Sequence, residues 1–281
     1  MEKVPQKLDK TRKDYYKDAP IAKFGERKPD YSGMGKKIKN AFKGLREVVC
    51  VEACRTPYGV FGGSLKGFDA PQLGAMAIKE CLRRTNGKVR PEDVDYVFMG
   101  QVVPAGCGQV PSRQATLLAG LPESVPSITV NKVCSSGIKT VDLAVQMIQT
   151  GRADIVIAGG QESMSNCPYS LPDMRWGNRM GLPNGRMVDL MVYDGLWDAF
   201  YNRHMAIHGS ETADEFGFTR QDQDEWALNS QMNAVKAMKD GKLDDEIFPV
   251  EIKKGKETII FNKDEGPRPG TTLEGLAKLP P

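Results

Sequence analysis

Hydrophobic and polar positions change rhythm several times along the 281-residue chain. Residues 48–53 are a short apolar run with the length of a strand. Residues 69–84 place Leu73, Met76, Ala77 and Leu82 at helical spacing. A second strand is expected over 94–103, closed by Pro104 and a glycine-rich loop, and a short helix over 112–119. A third strand follows at 128–133, then a long helix at 135–149 ended by Gly151, then a fourth, buried strand at 154–159. Strands alternating with helices predict an α/β layered domain that runs to about Asn166.

The texture shifts after Cys167. Pro168, Pro172 and Pro183 punctuate a stretch that mixes glycine, methionine and arginine. Long loops of this kind are usually functional or interaction surfaces. Helices are expected over 195–216 and 220–240. Thr219, with Asp222 and Asp224 behind it, signals the start of the second, and Gly241 its stop. Strands at 247–253 and 258–261 are expected to form a hairpin around Lys254, Gly255 and Lys256.

With 40% hydrophobic and 27% charged residues, the composition is that of a globular protein. The longest apolar stretches, such as 155–158, are far short of the roughly 20 residues of a spanning helix. Six cysteines are too sparse for a disulfide scaffold, and no apolar run near Met1 resembles a secretory signal. Reduced thiols and a cytoplasmic location are therefore expected. The net charge of +3 is unevenly placed: residues 1–47 hold fourteen Lys and Arg against seven Asp and Glu. This segment reads as a basic N-terminal extension, either a solvated arm, a docking arm for another subunit or, least in keeping with its composition, a nucleic-acid tail. Its acids, among them Asp9, Asp14 and Asp18, fit poorly with a transit peptide.

The strongest chemical signal is Asn131-Lys132-Val133-Cys134-Ser135-Ser136-Gly137. A strand is expected to deliver Cys134 to a tight turn at the head of the long helix. There the helix dipole and backbone N–H groups favour the thiolate and suit an oxyanion. The competing reading is a buried structural cysteine. His204 and His208 are four apart, the spacing of two metal ligands on one helical face. No Glu follows His204, however, and no third ligand is evident, so no metal is expected.

The chain resembles the thiolase family, the acetyl-CoA acetyltransferases and 3-ketoacyl-CoA thiolases. The matching pieces occur in the family's order over about residues 48–281. They are Arg55-Thr56-Pro57, Gly100-Gln101-Val102, the turn at Cys134, residues 158–165, Asp194-Gly195-Leu196, His204-Met205 and Thr272-Leu273. The resemblance implies a layered α/β thiolase fold, of which this chain would hold the N-terminal half (48–166) and an inserted helical and loop domain (167–281). That second domain would cover coenzyme A (CoA) and help build tetramers. By resemblance Cys134 is the catalytic nucleophile that becomes acetylated, and its N–H contributes to the oxyanion hole. Leu196, His204 and Met205 match substrate contacts along the pantetheine, and Arg268 a contact at the nucleotide end of CoA. No cofactor is implied beyond CoA thioesters as substrates, and neither nucleic acid nor membrane is expected as a partner.

Complete thiolases also carry a Gly-His-Pro motif, an Asn in an Asn-Glu-Ala-Phe-like motif and a second Cys in a Cys-x-Gly-Gly setting. None occurs here: the two histidines do not precede proline, and the only cysteine after Cys134 is Cys167. The expectation is a nucleophile-bearing subunit of a split, hetero-oligomeric acetyl-CoA C-acetyltransferase whose partner chain supplies the C-terminal half. The alternatives are a non-catalytic acyl-CoA-binding or scaffold subunit, or a fragment of a longer thiolase.

Overall fold

A computed structural model describes residues 44–176 and 186–280; the arm, residues 1–43 of the extension, lies outside them. At the centre is a parallel three-stranded sheet: β1 (Tyr96–Gly100) lies between β2 (Ser127–Val130) and β3 (Val156–Gly160). Phe98 stands opposite Ile128 on one side and Ala158 on the other. A central strand flanked in this way is buried on both faces, and Val97, Phe98 and Met99 are all buried.

Helices α1 (Ala70–Arg84) and α2 (Pro111–Leu118) cover one face. Ala75 and Ile78 of α1 and Ala115 of α2 pack with Val97, Met99, Leu121 and Val125 into the main core. Asp69 starts α1 with a reciprocal cap: its carboxylate accepts from Gln72 N, and the Gln72 side chain accepts from Asp69 N. The opposite face carries α3 (Ser136–Gln149). Side chains alternate along a strand, so Phe98 and Gly100 face away from Val97 and Met99, and a Cβ on Gly100 would strike the first turn of α3. The result is a helix–sheet–helix sandwich.

The later part of the chain opens with two short antiparallel pairs. Strand β4 (Tyr169–Ser170) pairs with β5 (Val188–Asp189), and after a π-helical turn at Met191–Leu196, β6 (Trp197–Asp198) pairs with β7 (Arg203–His204). Helices α4 (Ala206–Glu215) and α5 (Arg220–Lys239) follow. Thr219 caps α5 through Asp222, as its sequence signalled. The hairpin β8 (Val250–Lys254) and β9 (Glu257–Phe261) turns at Gly255, and α6 (Leu273–Leu276) comes last. Phe248 and Val250 return to the first unit and bury against Leu65 and Leu73.

Three expectations are corrected. Residues 48–53 make no ladder, because no strand lies beside them among the described residues, and Val49 and Val51 stay about two-thirds exposed (68% and 66%). The expected helix at 195–216 is a π-helical turn, a hairpin and only then α4. The Asp198 carboxylate accepts from Phe200 N and Tyr201 N, and Asn202 takes a positive φ, so a tight turn wins over helical periodicity there. The third strand ends at Val130, three residues short of the expected limit, because Asn131 begins the turn that carries Cys134. No helix among the described residues is long and apolar enough to cross a membrane.

Candidate active site

Cys134 is exposed at the turn between β2 and α3. The turn is fastened from both sides. Asn131 donates through Nδ2 to Val102 O (2.9 Å) and accepts from Val133 N through Oδ1 (3.0 Å). Ser136 Oγ accepts from Lys132 N (2.8 Å) and donates to Val133 O (2.6 Å), while Ser135 N and Ser136 N donate to Lys132 O and Val133 O. These bonds hold Val133 at φ 49°, a left-handed conformation that a β-branched residue rarely adopts. Such strain costs about 1–3 kcal/mol and persists only where the surroundings over-determine it. It sets the residue before the cysteine at a sharp corner.

Small residues bring the helix onto the sheet at this point. A Cβ on Gly100 would lie 2.6 Å from Ser136 C and 2.7 Å from Gly137 N. Thr140, fully buried, donates its hydroxyl to Gly137 O (2.6 Å) and lies 2.9 Å from Gly159 O. The first turn of α3 is thereby locked over the C-terminal ends of β1 and β3, where parallel α/β sheets place their chemistry.

The loops after β1 and β3 are joined by buried polar groups. Gln161 Nε2 donates to Gln101 Oε1 (3.0 Å), and Gln101 Nε2 to Val103 O (3.2 Å). The Glu162 carboxylate accepts from Val102 N (2.6 Å) and Val103 N (3.3 Å). Burial raises its pKa, against the pull of those two N–H groups. Cys167 is also shifted, its thiol pushed up to about 11 by burial, which leaves it a poor nucleophile near neutrality.

The structure brings Leu196, His204 and Met205 together. Trp197 pairs with His204, and Met205 N donates to Leu196 O (2.9 Å). Gly195 lies beside Val102 and Val103: a Cβ added to it would meet a Val103 methyl at 3.6 Å and a Val102 methyl at 3.7 Å. Val102 is in turn held by Asn131, so the π-helical turn bearing Leu196 and the turn bearing Cys134 share one support. Met205 is exposed, while Leu196 and His204 are half-buried. Arg268 is exposed on a separate turn, its N–H donating to Gln231 Oε1 of α5 (2.7 Å) and its carbonyl accepting from Thr271.

The two imidazoles do not share a helical face, since His204 precedes α4 and His208 lies within it. His204 Nδ1 accepts from Ala206 N, and His208 bridges Asp198 (2.9 Å) and Arg203 (3.0 Å). Among the described residues, no three His, Cys, Asp or Glu side chains are grouped to hold a metal ion.

Residues 48–281 match the family model described as thiolase, N-terminal domain. The chain belongs to the thiolase family. It is 48% identical over 238 residues to the acetyl-CoA acetyltransferase of Pseudomonas aeruginosa and 50% identical over 238 residues to that of Cupriavidus necator. Each alignment takes in 84% of this chain and 60% of the relative. The crystal structure of the Bacillus anthracis acetyl-CoA acetyltransferase superposes with a TM-score of 0.80 at 36% identity, over 84% of this chain and 59% of that one. The fold is therefore α/β and thiolase-like, and this thiolase chain spans about three-fifths of the length of the relatives it matches.

Sequence reasoning gives Asn131, Thr140 and Glu162 no role, and Ser136 only that of a small residue allowing close approach. Asn131 and Ser136 sit inside the cysteine motif. Their signal was being short polar residues on either side of a turn, the type that binds backbone locally.

Proposed function

We propose that Cys134 is the nucleophile of an acetyl transfer between CoA thioesters. The observation that carries this reading is an exposed cysteine on a strained, doubly fastened turn at the head of α3, within a thiolase N-terminal domain. In the degradative direction the Cys134 thiolate attacks the keto carbon of acetoacetyl-CoA. The C–C bond breaks, and the departing carbanion of acetyl-CoA takes a proton from a general acid. The thiolate of free CoA then attacks the acetyl thioester, releasing a second acetyl-CoA and regenerating Cys134. In synthesis the same steps run in reverse. The Cys134 N–H would help hold the oxyanion.

Leu196 and Met205 would sheathe the pantetheine with His204 beside them. Arg268 would meet the nucleotide phosphates through charge and planar contact. Residues 167–281 would act as the loop domain that covers CoA. The reaction needs no metal or redox cofactor in this scheme.

The general acid and base are not supplied by a Gly-His-Pro or Cys-x-Gly-Gly motif of this sequence. Such help is worth about 10²–10⁴-fold in rate. We infer that a second chain supplies them, making this the nucleophile-bearing subunit of a heteromeric enzyme. The unladdered segment at 48–53 and the exposed apolar side chains of α3, Ile138 and Val141, support a covering partner. Affinity purification of the tagged chain from its source, with sequencing of what accompanies it, tests this. A separate polypeptide bearing both motifs is expected. Recovery of the chain alone without thiolase activity, or of one longer polypeptide carrying both motifs, would refute the two-chain reading.

A further inference from the structure

Two thiols outside the candidate active site lie against each other. Cys54 follows the unladdered segment at 48–53, and Cys81 sits in the last turns of α1. The Cys54 thiol lies 3.4 Å from Ala77 O, one helical turn before Cys81, and Cys81 Sγ lies 3.9 Å from Glu52 O, two residues before Cys54. The side chains thus reach past one another from opposite elements, close enough to perturb each other. Both are half-buried and unbridged.

The two thiols shift each other in opposite directions. Hydrogen bonding to Cys81, followed by burial, pushes the Cys54 thiol up; the same bond, received from Cys54, holds the Cys81 thiol below its ordinary value. Arg84 favours the Cys81 thiolate, while Glu52 and Glu80 oppose it. Two free thiols side by side are what a peroxide-oxidised cysteine and its resolving partner require.

We propose that Cys54 and Cys81 form a reversible thiol–disulfide couple, oxidised by a hydroperoxide and separate from the chemistry of Cys134. The Cys81 thiolate attacks the peroxide, its O–O bond breaks, and Cys81 becomes a sulfenic acid as hydroxide leaves and is protonated to water. The Cys54 sulfur then attacks that of Cys81. The S–S bond forms, the S–O bond breaks, and the Cys54 proton leaves with the hydroxyl as a second water. Two thiols are oxidised and one hydrogen peroxide is reduced to two waters. The bridge fastens the segment at 48–54, which no ladder holds, to α1. Transient disulfides of this kind suit a reducing compartment.

Hydrogen peroxide treatment of the full chain, followed by alkylation, tryptic digestion and mass spectrometry, tests the couple. Peptide 47–55, which contains Cys50 and Cys54, should be joined to peptide 80–83, with two hydrogens fewer than their sum and with fragment ions placing the bridge at Cys54. A thiol reductant should reverse it. The link should survive Cys50→Ser and vanish in Cys54→Ser and Cys81→Ser. A bridge at Cys50, or Cys81 driven to sulfinic acid or left as free thiol with no link under peroxide, would overturn the proposal. The fragment ions of the unsubstituted chain decide the matter even if a variant misfolds.

Discussion

At the scale of single residues, the turn before Cys134 is bought with strain that neighbouring hydrogen bonds must hold. Val133 adopts φ 49° because Asn131 and Ser136 claim its N–H and carbonyl. Replacing a strand or helix valine by glycine ordinarily destabilises. At Val133 glycine relieves a left-handed conformation, so Val133→Gly should change unfolding free energy by less than about 1 kcal/mol or raise it. Urea unfolding checks this. Gly100 is the opposite case: its missing Cβ admits the backbone of Ser136 and Gly137. Gly100→Ala should cost about 1–3 kcal/mol by overpacking and displace the head of α3. Urea unfolding reads the first effect and the alkylation rate of Cys134 the second. The motif around Cys134 was legible in sequence because small residues and a cysteine cluster there. The strain was not, since nothing in the letter Val marks a left-handed backbone.

At the scale of elements, the segment after β9 is locked onto the loop at 55–64 by charge. Arg55 forks onto Asp264 (2.8 and 3.0 Å) and also bonds Glu246 (2.8 Å). Tyr58 N donates to Asp264, while Glu265 accepts from Val60 N and from Ser64. Burial alone would push both carboxyls up. The Arg55 guanidinium and Tyr58 N–H on Asp264, and Ser64 with Val60 N–H on Glu265, outweigh it and leave both pKa values lowered. A carboxyl whose folded pKa is below its unfolded value stabilises fully above the unfolded value, about 4, and loses that contribution as pH falls through the folded one. Asp264→Asn should therefore lose about 2 kcal/mol near neutrality and show a flatter decline of stability into acid than the parent chain. Equilibrium unfolding across the acid range compares the two.

Elements with strong local signals were legible: α1, α3 and α5 stand within a few residues of their expected limits, each with its cap or stop in the sequence. The stretch at 195–216 misled because apolar spacing cannot reveal a side-chain carboxylate claiming two turn amides. Residues 48–53 misled because strand character needs a neighbour, which local sequence does not contain.

At the scale of the whole molecule, Ile138 is 70% exposed on α3, the helix that carries the candidate nucleophile at its head. If a second chain covers this face, Ile138→Asp should leave the circular dichroism of the chain unchanged and weaken co-purification of the partner at least several-fold. Retained co-purification would place the interface elsewhere. The proposed second chain rests, in sequence, only on motifs that this chain lacks, whereas the family was legible as many short motifs in one order. The claim on which all else rests is that Cys134 carries the acetyl group. The protein purified from its source with whatever accompanies it, incubated with acetoacetyl-CoA, quenched in acid and digested, should yield one acetylated peptide, the one bearing Cys134. Added CoA should discharge it, and Cys134→Ala should abolish both label and turnover. Turnover that survives Cys134→Ala, or an acetyl group on another residue, would contradict the account.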